Sequence, residues 1–167
     1  MINLATVRHD SKIVPRLVTI GLFALAAWAF AIAPSVADEF SVTDTAGKSH
    51  TLANYKSQWV LVNFWATWCP PCLEEIPEFA ALYTARKNKN LMVIGIAIDF
   101  EHEAQVFEFA EKQGMNYPLV LGDDKVTQQF GKINVLPTTF LFDPKGKKVL
   151  HRVGPLTRAE IEKLIGK

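Results

Sequence analysis

Residues 59–65 read Trp-Val-Leu-Val-Asn-Phe-Trp, and residues 66–76 continue Ala-Thr-Trp-Cys-Pro-Pro-Cys-Leu-Glu-Glu-Ile. Apart from Asn63, the first seven are apolar, aromatic or β-branched on both alternating faces, as in a strand buried in the middle of a sheet. Cys69 and Cys72 follow, separated by Pro70 and Pro71. Beyond Pro71 the apolar residues Leu73, Ile76, Phe79, Ala80 and Tyr83 recur every three or four positions, with Glu74, Glu78 and Arg86 between them. An amphipathic helix therefore opens at the cysteine pair. Pro70 and Pro71 suit a first turn, where a missing N–H costs little. Pro77 lies inside the helix, removes the bond to the carbonyl of Leu73 and predicts a kink.

Outward from this core, strand and helix patterns alternate. Leu91–Ile98 reads as a second buried strand and Glu103–Gln113 as a helix closed by Gly114. Leu119–Leu121 is a short strand-like segment, and Val126–Phe130 a brief helix. Thr138–Phe142 and Lys148–Val153 flank the turn Asp143-Pro144-Lys145-Gly146 as a β-hairpin, and Thr157 with Glu160 supplies a capping box for a last helix. The alternation predicts an α/β domain.

The N-terminus carries a different signal. Arg8, Lys12 and Arg16 precede an apolar run from Leu17 to Ala33, then Pro34 and the small-x-small triplet Ser35-Val36-Ala37. That order is a secretory signal, with cleavage expected after Ala37. The 17-residue run is also near the lower limit for an uncleaved membrane anchor. Either way residues 1–37 are a signal peptide or anchor, and residues 38–167 form the domain, outside the cytoplasm. The location is periplasmic or extracytoplasmic, secreted or held at the inner membrane facing outward, where disulfides persist. No cysteine follows the apolar run, which speaks against a lipoprotein.

Residues 38–167 hold 15 basic against 16 acidic side chains, a net charge of −1, which gives no reason to expect nucleic-acid binding. Two cysteines so close in sequence cannot staple distant parts of a fold, but they can make and break an internal disulfide. A helix N-terminus favours a thiolate, so Cys69 is the expected nucleophile and Cys72 the resolving thiol. A zinc site would need further ligands, and no second cysteine pair exists. A Cu(I)-binding module using the two thiolates with His102, His151, Met92 or Met115 is the alternative, as is a dithiol oxidase on the same scaffold. No cofactor and no resident metal are called for.

The stretches Asn63-Phe-Trp-Ala-Thr-Trp-Cys-Pro-Pro-Cys-Leu-Glu-Glu-Ile-Pro77 and Val135-Leu-Pro-Thr-Thr-Phe-Leu-Phe-Asp-Pro-Lys-Gly-Lys147 resemble the TlpA/ResA/CcmG-type branch of the thioredoxin-like proteins, over essentially residues 38–167. The resemblance implies a thioredoxin-like fold: a central mixed sheet flanked by helices, with a C-terminal β-hairpin and helix. It implies a protein-disulfide reductase of cytochrome c maturation type, acting on a protein thiol or disulfide and recharged by a membrane thiol relay. It also implies that Pro137 is a cis-proline facing the cysteines, with the backbone of Leu136 offered to substrate. Trp68 is expected on that substrate surface, and Trp65 in the core.

Ordinary thioredoxins carry a buried aspartate where this chain has Asn63, and an amide cannot exchange the proton. The resemblance gives that task to Glu75, three residues after Cys72, whose burial would raise its pKa toward neutrality. Glu74 and Glu78 are expected to face solvent. A peroxidase of peroxiredoxin type is not expected, because Trp65-Ala66-Thr67-Trp68-Cys69 lacks that group's Pro-x-x-x-Thr-x-x-Cys element.

Overall fold

The computed structural model describes residues 39–166. The expected signal or anchor, residues 1–37, lies outside the described residues. A small hairpin comes first, β1 (Ser41–Thr43) against β2 (Ser49–Thr51), followed by a 3-10 turn at Leu52–Tyr55. Then come β3 (Trp59–Trp65), α1 (Pro70–Arg86), β4 (Leu91–Ala97), α2 (Glu103–Lys112), β5 (Leu119–Leu121), α3 (Asp124–Gln128), β6 (Thr138–Phe142), β7 (Lys148–Val153) and α4 (Arg158–Ile165).

Five strands form one mixed sheet in the order β5-β4-β3-β6-β7. β3, β4 and β5 are parallel, whereas β6 is antiparallel to β3 and β7 to β6. β3 is central, which explains its apolar run: six of its seven residues are buried. Alternation along the strands sends side chains to two layers. Val60, Val62 and Phe64 join Ile94, Ile96, Phe140, Phe142 and Phe130 with Phe40, Val42 and Tyr55 of the N-terminal segment. Leu61 packs with Phe79, Leu82, Val93, Tyr117, Leu156 and Ile161, while Trp65 packs with both cysteines, Ile76, Val106 and Ala110. Helices α1, α2 and α4 thus cover one face, and the N-terminal hairpin and α3 the other.

Several boundaries differ from the sequence reading. α3 spans Asp124–Gln128 rather than Val126–Phe130, because the Asp123 side chain accepts the Val126 N–H at 2.8 Å and caps the helix earlier than its apolar residues suggest. β4 ends at Ala97, and α2 ends at Lys112 with Gly114 at φ +67° just beyond. α1 runs as one helix through Pro77, which lies on its exposed side. The β1–β2 hairpin was not anticipated. It is organised around His50, fully buried between the Tyr55 hydroxyl at Nδ1 and the Asp44 carboxylate at 2.8 Å from Nε2.

Candidate active site

The backbone of β3 ends at Trp65, and Cys69 forms the N-cap of α1 in extended conformation. Cys69 and Cys72 are joined by a disulfide with an S–S distance of 2.04 Å. Both are buried, Cys69 2% and Cys72 0% exposed, so the sulfurs sit at the surface's inner edge rather than in open solvent. Pro70 and Pro71 occupy the first helical positions and carry no N–H. The Cys72 N–H donates to the Cys69 carbonyl at 3.0 Å. The helix end therefore offers fewer free donors to a Cys69 thiolate than an ordinary N-terminus does.

Trp68 stands beside the pair, 58% exposed, and its indole N–H donates to the Asp99 carbonyl at 3.0 Å. Asp99 holds φ +54°, unusual for a residue with a side chain, and so turns the end of β4 toward the indole. Trp65 is fully buried and stacks on Phe109 of α2, centroids 5.6 Å apart. Leu136 packs against the layer that contains both cysteines, and the Leu136–Pro137 peptide bond is cis. The next turn is closed by the Thr138 hydroxyl on the Val135 carbonyl at 2.7 Å, and the Pro137 carbonyl accepts the Gly154 N–H at 2.8 Å. Val135, just before Leu136, is 52% exposed.

Glu75 lies one helical turn beyond Cys72 and is only 3% exposed. Its carboxylate accepts from the Leu156 backbone N–H and, at 3.2 Å, from the Asn63 amide, which also reaches the Thr139 hydroxyl at 3.0 Å. Burial dominates and pushes the Glu75 carboxyl up to about 7, with the Leu156 and Asn63 bonds opposing and the negative charge of Glu160 adding. A group titrating there can both take and give a proton near neutral pH. Glu74 and Glu78 are exposed.

The structure thus places Leu136 in one cluster with Cys69 and Cys72, has Trp68 precede the pair, and buries Glu75 one helical turn beyond Cys72. Sequence reasoning did not pair Glu75 with Leu156, 81 residues away, nor single out Tyr117, buried in the same layer. Among the described residues, no group of three or more His, Cys, Asp and Glu side chains is placed to hold a metal ion.

Comparison with known proteins points the same way. The AhpC/TSA family profile matches residues 34–150. The thiol-disulfide oxidoreductase ResA of Geobacillus kaustophilus is 36% identical over 131 residues, 77% of this chain and 74% of that protein. ResA of Bacillus subtilis is 35% identical over 127 residues, 76% of this chain and 70% of that protein. Among solved structures, a thioredoxin family thiol:disulfide interchange protein from Chlorobium tepidum superposes with a TM-score of 0.69 at 30% identity, covering 76% of this chain and 90% of that one. StoA from Bacillus subtilis superposes with a TM-score of 0.65 at 26% identity, covering 78% and 98%.

Proposed function

Since the chain belongs to the AhpC/TSA family and, within it, to the ResA-type thiol-disulfide oxidoreductases, we propose that it reduces protein disulfides outside the cytoplasm, in a role of cytochrome c maturation type. The observation that carries the reading is the Cys69–Cys72 disulfide at the start of α1 with the buried Glu75 one turn deeper.

In the reduced enzyme the Cys69 thiolate attacks a substrate disulfide, and one substrate sulfur leaves as a thiolate. Cys69 is then held in a mixed disulfide. The Cys72 thiol loses its proton to the Glu75 carboxylate and attacks the Cys69 sulfur; the second substrate sulfur leaves and is protonated. Two electrons have passed to the substrate, and the enzyme is left in the Cys69–Cys72 disulfide form. A reduced dithiol partner, a membrane thiol relay in this reading, returns the electrons. Trp68 and the Leu136–Pro137 backbone receive the substrate chain, which can lie along Leu136 as an added strand.

Pro70 and Pro71 favour the reducing direction. Without N–H groups at these positions the Cys69 thiolate is less stabilised, so the dithiol form gives up its electrons more readily than one with a strongly acidic thiol. Export fits the leader-like residues 1–37, whether cleaved after Ala37 or kept as an anchor.

The test is covalent capture. A Cys72→Ala chain expressed with its own leader should accumulate mixed disulfides through Cys69 that a reductant releases and that Cys69→Ala abolishes. Capture that survives loss of Cys69 would refute the assignment. Captured apocytochrome would establish the substrate class, and other captured proteins would replace it.

A further inference from the structure

Among the described residues, three buried polar side-chain atoms have no hydrogen-bond partner: Asn63 Oδ1, Trp65 Nε1 and Tyr117 Oη. Two of these side chains, Trp65 and Tyr117, close on one glycine, Gly95. Asn63 is the register partner of Gly95 across β3 and β4. A Cβ placed on Gly95 would lie 2.9 Å from Tyr117 Cε2 and 3.3 Å from Trp65 Nε1. The missing side chain at Gly95 is what lets the phenol and the indole enter the layer beneath α1, beside the amide that holds Glu75.

An unpaired buried hydroxyl lowers stability, and phenylalanine would fill the same space without it. Tyr117 is 5% exposed, shares its cluster with Leu156, whose N–H donates to Glu75, and meets the Tyr83 ring edge-on at 6.2 Å. Burial first, and the charge of Glu75 second, raise the Tyr117 pKa far above its ordinary value, so the hydroxyl keeps its proton and remains a donor.

We propose that Tyr117 is a positioning residue for the proton carrier: its hydroxyl, unpaired within the protein, donates to the Glu75 carboxyl through one bound water and stabilises the charged form. This rests on the reading of Glu75 as the group that exchanges a proton with Cys72. The titratable groups around Glu75 are Cys72 on α1, Tyr117 ahead of β5, and Glu160 on α4, the last paired with Arg152 at 2.8 Å. From β3 and β6 only the neutral Asn63 and Thr139 face it.

The test is a carbon-13 NMR titration of the oxidised protein, in which the cysteines do not ionise and the Glu75 signal is identified by its loss in Glu75→Gln. In Tyr117→Phe the Glu75 midpoint should rise by about one pH unit, since a hydrogen bond to the charged form has been removed. The midpoint of the pH–rate profile for resolving a Cys69 mixed disulfide should rise with it, and Tyr117→Phe should have no such effect in a Glu75→Gln background. An unmoved carboxyl midpoint in a folded Tyr117→Phe protein overturns the proposal while leaving Glu75 in its role. A Glu75→Gln enzyme with an unaltered pH–rate profile removes that role, and the NMR midpoint still decides whether Tyr117 holds the carboxyl.

Discussion

Replacing Glu75 by glutamine keeps the shape of the side chain and deletes the charge that burial opposes. The Glu75 carboxyl is raised from an ordinary 4.5 to about 7 in the fold. Between those values the native chain holds a proton that the unfolded chain has released. Its contribution to stability is therefore fully present below the unfolded pKa and is lost as pH rises through the folded one. At about 1.4 kcal/mol per unit, a gap of about 2.5 units is worth about 3 kcal/mol between pH 4.5 and 8. Glutamine does not titrate and should be tolerated. Its carbonyl can accept the Leu156 N–H, and its amide can donate to Asn63 Oδ1, which is unpaired, once the Asn63 amide turns over. Denaturant unfolding of the oxidised proteins at several pH values measures the effect. The difference between variant and parent should grow by about 3 kcal/mol in favour of glutamine from pH 4.5 to 8, with the other titrating groups cancelling. Curves that run parallel would show that the carboxyl titrates at its ordinary value and that burial does not govern it.

Pro71→His restores an N–H to the first turn of α1 and adds a cation, so the Cys69 thiol should titrate about one unit lower or more and the disulfide become more oxidising. Thiolate ultraviolet absorbance and equilibration with glutathione measure both, and an unchanged thiol pKa would contradict the argument from missing donors. Trp68→Ala should raise KM for a protein disulfide by about tenfold, the value of one aromatic contact, with a smaller change in kcat. A loss confined to kcat would mean that the indole serves the chemistry rather than binding. Gly95→Ala should destabilise the fold by about 1–3 kcal/mol, because its Cβ meets the Tyr117 ring and the Trp65 indole at distances neither can relieve freely. Unfolding at the wild-type midpoint would show that the layer beneath α1 has slack.

The central strand, the helix on the cysteine pair, the β6–β7 hairpin and the Thr157–Glu160 capping box were legible because each is written locally, in periodicity, turn residues or a cap. Glu75 was placed by resemblance, and its burial could not be computed from neighbours in sequence: its partners Asn63 and Leu156 stand 12 and 81 residues away. The N-terminal hairpin escaped notice because its strands, Ser41-Val42-Thr43 and Ser49-His50-Thr51, are too short to show a period, and its organising residue, His50, is polar until Asp44 and Tyr55 enclose it. Tyr117 and Gly95 were silent for a related reason. Only the pairing of β4 with both β3 and β5 brings them against Trp65 and Asn63.

The two prolines between the cysteines shape more than acidity. A polypeptide passing over the disulfide finds no main-chain donor at Pro70 or Pro71, so in the proposed reading any sheet-like pairing falls to Leu136. A guest gripped along a single rail is let go easily, which suits a catalyst that must release each substrate after one exchange.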